Sequence, residues 1–401
     1  MMPPTSEANV PSALPASRSL GPFGTTIFAE ISRLAVQHGA VNLAQGFPDF
    51  DGPEHVKAAA IEAIRAGHGQ YARMLGLPAL NAEVSRCFRE RAGIDADPDA
   101  CVTVTSGCTE AIAATMLGLL NPGDEVILFE PYYDSYRACV AMAGATARFV
   151  TLRGPDFTYD PAELERAVTE RTRLIVVNSP HNPTGRVWTR AELEGVASVC
   201  RRQGLVAVSD EVYEHLVYEG AHIPFASLEG MWERTVTLNS LGKAFSLTGW
   251  KIGWSVAPAG LTKSIRAAHQ FLTFAVSTPM QHAAVTALRS PASFYEATRD
   301  EFRARRAALC AILEREGYRF RVPEGGYFVY ADHSAVSSRL GLADDVALVK
   351  HLIEQVGVAA IPPSVFYENK AEGRGLIRWA FCKKLETIEE AGRRLAAARG
   401  R

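Results

Sequence analysis

The chain has 401 residues, 47% hydrophobic and 21% charged, with a formal net charge of −2. That length outgrows one compact core and suits two unequal domains. The near-balanced charge, with no Lys/Arg cluster, argues against nucleic acid as a partner. No apolar run approaches the ~20 residues needed to cross a bilayer. Seven scattered cysteines without a CxxC pair read as reduced thiols of a cytoplasmic protein.

Residues 1–20 are rich in Pro, Ser and Ala, lack the basic and apolar regions of a secretory signal, and are expected to form a flexible tail. From about residue 100 short β-branched runs alternate with helical patterns. Strands are predicted at 101–105, 125–129, 148–152, 174–178, 205–209 and 235–241, and helices at 110–120, 161–169 and 190–203. The last of these has Gly204 positioned as its C-cap. This alternation predicts an α/β fold with a mostly parallel sheet covered by helices on both faces. Two long helices are expected at 261–289 and 293–317, followed by strands at 327–331 and 376–381. The expected division is a large domain over 54–289 and a smaller α+β domain built from 21–53 and 290–401.

In open α/β sheets, ligands sit beyond the carboxyl ends of the strands, and the chemically unusual residues of this chain follow strand ends. Asp210 closes the apolar run 205–208. A carboxylate there could pair with a protonated ring nitrogen, a metal or a sugar hydroxyl, although helix N-capping by Ser209 or Asp210 explains it equally well. Lys243 lies between a buried run and a Gly/Ser turn, where desolvation favours the neutral amine that imine formation needs. Taken alone, it reads more simply as an exposed loop lysine. A P-loop fails on pattern, because Thr237 holds the first glycine position and Ala244 the Ser/Thr position. Ser106-Gly107-Cys108-Thr109-Glu110 opens a helix after a strand, which suits a phosphate or a plain N-cap. Ser179-Pro180-His181-Asn182-Pro183-Thr184-Gly185 needs to be a rigid turn, which leaves an Asn facing the crevice unexplained. Arg378, alone in the apolar run 376–381, requires an anionic partner, either internal or a ligand carboxylate. HExxH, GxSxG and GxGxxG are absent, and no histidine spacing suggests a metal.

Together these pieces resemble the fold-type I, pyridoxal 5′-phosphate (PLP)-dependent aminotransferases of class I. The similarity runs from about residue 23 to the end. It is carried by 178–185, Ser209-Asp210-Glu211-Val212-Tyr213, Ser240-Leu241-Gly242-Lys243 and Lys251, in the family's order and spacing. The resemblance implies a seven-stranded sheet and a cytoplasmic homodimer with neither metal nor membrane attachment. It also implies amino transfer from an L-amino acid to a 2-oxo acid. By the same resemblance, Lys243 is the imine-forming lysine and proton shuttle, Asp210 the partner of the ring nitrogen, and Tyr213 and Asn182 the partners of the ring oxygen. Gly107, Cys108, Thr109, Ser240 and Lys251 hold the phosphate, Tyr71 reaches it from the partner subunit, and Tyr133 stacks on the ring. Gly46, Asn182 and Arg378 clamp the substrate carboxylate, and Phe28 and Tyr136 belong to the side-chain pocket.

The runs 42–50 and 130–136 place the chain near the kynurenine, glutamine and methionine aminotransferases. An aromatic pocket (Phe28, Phe47, Tyr71, Tyr136, Phe274) without a second arginine suits Met, Gln, Phe or Tyr better than Asp. Two alternatives share these residues. One is a PLP-dependent cysteine-S-conjugate β-lyase. The other is a non-catalytic aminotransferase-like sensor, disfavoured because only about twenty tail residues precede the fold, too few for a helix-turn-helix domain.

Overall fold

The computed structural model describes residues 17, 19–21, 23 and 27–399. Apart from 17, 19 and 20, the expected tail lies outside the described residues. Twelve strands can be followed: β1 (Val41–Asn42), β2 (Val102–Ser106), β3 (Glu125–Glu130), β4 (Thr146–Thr151), β5 (Thr172–Asn178), β6 (Val206–Asp210), β7 (Thr235–Ser240), β8 (Ile252–Val256), β9 (Arg319–Phe320), β10 (Phe328–Asp332), β11 (Val358–Ala359) and β12 (Leu376–Ala380). Seven of them form the main sheet, in the order β2-β8-β7-β6-β5-β3-β4.

Successive strand side chains point to opposite faces, so a sheet covered on both faces needs apolar residues at every position. The central strands obey this. Val126, Leu128 and Val176 pack with Ala111, Ile112 and Met116 of the helix Gly107–Leu119. Ile127, Phe129, Ile175 and Val177 pack on the other face with Leu193, Val196 and Cys200 of the helix Arg190–Gln203. That helix starts with a capping box made by Thr189 and Glu192 and ends at Gly204 in the left-handed conformation, so both its termini are satisfied.

The six strands predicted in this sheet all occur, within a few residues. The seventh, β8, runs antiparallel between β2 and β7 and has no counterpart among the predicted strands. The single helix expected over 261–289 is two, Ala259–Leu272 and Thr278–Leu288. The chain breaks where Phe274 takes φ 66°, and Pro279 lies in the first turn of the second helix, where its missing N–H costs nothing.

Beyond the main sheet, β10 pairs antiparallel with β9 and β12, and β1 pairs parallel with β11. The amide of Ala380 bonds to the carbonyl of Leu43, and Arg378 exchanges both backbone hydrogen bonds with Ile361, so β12 is held against the segment after β1. Among the described residues no helix is long and apolar enough to cross a membrane.

Candidate active site

β2, β5, β6 and β7 all run in one direction, so Ser106, Asn178, Asp210 and Ser240 end at the same edge of the sheet. Asn178 and Asp210 are register partners. One cleft opens at this edge, lined by Gly107, Cys108, Thr109, Tyr133, Tyr136, Asn178, Asn182, Asp210, Tyr213, Ser240, Lys243 and Lys251, among others. Ten of the expected cofactor and catalytic residues, together with Tyr136, are thereby brought together.

Asp210 is buried. Burial pushes its carboxyl above the usual range, against the hydrogen bond from the Tyr136 hydroxyl to Oδ2 at 2.6 Å. Lys243 follows β7 in the short helical turn Leu241–Ala244. Burial lowers the pKa of its amine, which donates to the Tyr327 hydroxyl at 2.9 Å and stands 5.5 Å over the rings of both Tyr213 and Tyr327. Tyr213 and Tyr327 meet edge to face at 5.0 Å, and burial holds both phenols protonated.

The turn after β5 is fixed by Asn178, which sequence reading noticed only as a strand end. Its Nδ2 donates to the Asp210 carbonyl at 2.9 Å and its Oδ1 accepts from the Asn182 amide at 2.7 Å. Asn182 then offers Oδ1 to Arg378 Nη1 at 3.2 Å, while Arg378 Nη2 donates to the Ala44 carbonyl at 3.0 Å. Arg378 is buried among Phe28, Phe328 and Phe366, its guanidinium carbon 5.3, 4.2 and 5.2 Å from their ring centres. Burial pulls its pKa down to about 10, and its Nε has no protein partner. A buried guanidinium with an orphan donor and, among the described residues, no carboxylate bonded to it has spare capacity for an anionic ligand.

At the other end of the cleft the helix Gly107–Leu119 begins. Gly107 has φ +71°, and a Cβ there would approach Lys251 Nζ to 3.3 Å. Gly253 on β8 lies directly beneath, where a Cβ would meet the Gly107 carbonyl carbon at 2.5 Å and the Cys108 amide nitrogen at 2.6 Å. Lys251 itself is left-handed at φ 56°, an uncommon conformation for a residue with a side chain. This corner combines helix-start amides, a hydroxyl and an ammonium, a donor set that fits a phosphate. With an enclosed amine and a buried carboxylate also in the cleft, the residues present suit a flat ring carrying a phosphate, an aldehyde and a basic nitrogen.

Three expected residues have further contacts of their own. Tyr71 is 82% exposed and meets the Phe274 ring at 5.4 Å. Tyr136, expected in the side-chain pocket, lines the cleft and turns its hydroxyl to Asp210 at the sheet edge. The Gly46 carbonyl is engaged by the Tyr327 hydroxyl. Tyr327 itself was not anticipated from sequence. The available signal was Gly325-Gly326 before an apolar run, a turn that delivers the next side chain close to other backbones.

Among the described residues one side-chain group has spacing suited to a metal, Glu211, Glu214 and His222. Glu211 already accepts from Ser209, Phe225 and His222, and Glu214 from Arg91 and Asn239. It is therefore an internal ion-pair network behind the cleft.

The sequence profile for aminotransferase class I and II matches residues 39–395. The chain is 45% identical over 388 residues to a probable N-succinyldiaminopimelate aminotransferase of Mycobacterium tuberculosis, covering 94% of this chain and 97% of that protein. It is 40% identical over 383 residues to the methionine aminotransferase of Escherichia coli, covering 95% and 98%. The solved structure of N-succinyldiaminopimelate aminotransferase from Mycobacterium tuberculosis superposes with a TM-score of 0.92 at 44% identity, covering 96% of this chain and all of that one.

Proposed function

Since the chain belongs to the class I and II aminotransferases and transfers an amino group between an amino acid and a 2-oxo acid, we propose that Lys243 holds PLP and that the preferred donors are L-amino acids with neutral side chains. The observation that supports this best is the presence in one cleft of an enclosed amine at 243 and a buried carboxylate at 210.

The bound cofactor supplies an electron sink for the bond broken at the substrate Cα. Asp210 is the counter-charge for a protonated ring nitrogen, and a cation facing it would draw back a carboxyl that burial alone pushes up. Tyr213 and Asn182 would hold the ring oxygen, and Tyr133 would stack on the ring. Cys108 and Thr109 offer helix-start amides to the phosphate, with Gly107 allowing the close approach, and Ser240 and Lys251 add side-chain donors. Arg378, aided by Asn182 and the backbone near Gly46, grips the α-carboxylate and so fixes which Cα bond is activated. Lys243, with its pKa lowered by burial, is available as the neutral amine that lifts the Cα proton and returns it. Atoms balance: a C–H bond breaks, an N–H bond forms, and the electron pair stays on the carbon side.

The neutral-donor reading rests on the aromatic surroundings of Arg378, Phe28 included, and on a cleft lining that, among the described residues, includes no arginine. Methionine, glutamine and aromatic or kynurenine-type donors fit; the names of the relatives add N-succinyldiaminopimelate as a competing substrate to assay. We further propose a homodimer. Tyr71, Phe271, Leu272 and Phe274 form an exposed apolar group, suited to placing Tyr71 at the partner's phosphate. Residues 54–289 then form the cofactor domain, and 21–53 with 290–401 the smaller domain supplying Arg378. The free cysteines suit a cytoplasmic setting.

The test is a panel of donors and oxo acids followed by the absorbance change of the bound cofactor, with Lys243→Ala as control. Full turnover in Lys243→Ala would overturn the assignment of the amine. Dominant release of ammonia and pyruvate from a cysteine conjugate without oxo acid would make the protein chiefly a β-lyase. Preference for N-succinyldiaminopimelate by more than about tenfold, or ~1.4 kcal/mol, would overturn the neutral-donor reading.

A further inference from the structure

We propose that Tyr327 is a positioning residue for the catalytic amine: its hydroxyl oxygen accepts a hydrogen bond from Lys243 and, by donating its own proton to the Gly46 carbonyl, ties that amine to the backbone segment expected to meet the substrate carboxylate. The inference rests on the reading of Lys243 as the amine that moves the Cα proton.

The geometry leaves the phenol little freedom. Lys243 Nζ donates to the Tyr327 oxygen at 2.9 Å, and that hydroxyl donates to the Gly46 carbonyl at 2.5 Å. With its only proton committed to Gly46, the oxygen can only accept from the amine, whether the amine is neutral or charged. The ring is fixed by edge contacts with Tyr213 at 5.0 Å and Phe328 at 4.8 Å, and Tyr327 is completely buried. Position 46 must lack a side chain, because a Cβ there would approach Phe328 to 2.7 Å and the Tyr327 ring to 3.2 Å. The segment can therefore lie directly on the tyrosine.

The chemical consequence follows from the direction of the bond. A hydrogen bond accepted from an ammonium is roughly twice as strong as one from a neutral amine. Tyr327 therefore favours Lys243 most when the amine has taken up the Cα proton, and aims the remaining N–H bonds back into the cleft. The charged or titratable groups acting on Lys243 include Asp210, Cys108, Cys382 and Arg378. Those groups all remain when the phenol is replaced by a phenyl ring, so Tyr327→Phe removes one oxygen together with its contact to the Tyr213 hydroxyl.

The experiment pairs two measurements on Tyr327→Phe, which keeps the packed ring. In the cofactor-free protein, competitive acetylation of Lys243 read by mass spectrometry across pH gives the midpoint of its titration. Loss of an acceptor of the ammonium moves that midpoint down by about 1 pH unit. In the holoenzyme, kcat falls about tenfold or more with a larger deuterium effect from Cα-deuterated donor, while KM stays within about twofold. An unmoved midpoint with raised KM and unchanged kcat would reduce Tyr327 to a support for the Gly46 segment and overturn the proposal. Should Lys243→Ala retain activity, the underlying reading fails instead, and the acetylation midpoint still reports whether the phenol tunes the amine.

Discussion

The Tyr136 hydroxyl donates to Asp210 Oδ2 at 2.6 Å, and both residues are buried. Asp210 Oδ1 receives the longer bond from the Val212 amide, at 3.3 Å, so Tyr136 is the main hydrogen-bonding support of the buried carboxylate. Tyr136→Phe should weaken cofactor binding and lower kcat/KM by about 10- to 100-fold, the value of one hydrogen bond to a buried charge. Asp210→Asn should cost about 100- to 1000-fold in kcat, as loss of a preorganised charge does. The same change should leave the cofactor-free protein as stable or up to ~1 kcal/mol more stable, because it removes a desolvated charge. Urea titration of the cofactor-free variant checks this. A large loss of stability would mean that Asp210 is primarily a structural residue.

Arg378 presents an orphan Nε and two engaged Nη groups inside an aromatic cage. Lysine keeps the charge but loses the planar fork and its stacking. Arg378→Lys should raise KM for amino acid and oxo acid alike by about 100-fold, since both carry the same carboxylate and the fork contributes ~3 kcal/mol. Steady-state kinetics in both directions checks it. An effect confined to one substrate would move the clamp elsewhere.

Much of this site was legible because its residues follow strand ends, and strand ends are marked by apolar runs. Asp210, Asn182 and Lys243 could each be placed at the crevice that way. Composition and periodicity could not reveal which side chains touch. Tyr136 lies on a helix whose pattern gives no hint that its hydroxyl reaches β6, and Tyr327 joins the site from more than eighty positions beyond Lys243. β8 escaped notice because Ile252–Val256 follows a turn in which Lys251 is left-handed, so no alternating approach announces it. The break at 273–277 interrupts an otherwise continuous helical pattern through one positive φ, which periodicity does not register.

Gly253 gives a sharp steric test. A methyl group there would press on the Gly107–Cys108 backbone, which cannot turn aside as a side chain could. Gly253→Ala should shift the helix start, cost ~1–3 kcal/mol of stability by overpacking, and weaken PLP binding by at least about tenfold. Gly249→Ala, with nothing within 4 Å of its Cβ, serves as the matched control and should bind cofactor normally. Equal cofactor affinity in the two variants would show that the phosphate corner does not depend on this close approach.

His269 is held in its charged form by the two groups that face its ring nitrogens. Nδ1 lies 2.6 Å from a Glu110 carboxylate oxygen and Nε2 lies 2.8 Å from the Met74 carbonyl. Both partners are acceptors, so both ring nitrogens donate and the ring is charged. Burial is the largest single influence and disfavours that charge, but the bond to Glu110, its negative charge and the Met74 carbonyl together outweigh it and raise the pKa above its ordinary value. A group whose folded pKa is raised stabilises fully below the unfolded value of ~6.5 and loses that contribution as pH rises through the folded value. His269→Gln should therefore be less stable than the parent by ~1–3 kcal/mol at pH 6, and the gap should shrink toward alkaline pH. Glu110 also accepts the Ser106 amide at the start of the helix that corners the phosphate site. The variant should accordingly loosen PLP binding as well. Urea unfolding at pH 6 and pH 9 decides the matter: a gap that stays constant or widens with pH would mean that the ring is neutral in the fold and that Glu110 is held by something else.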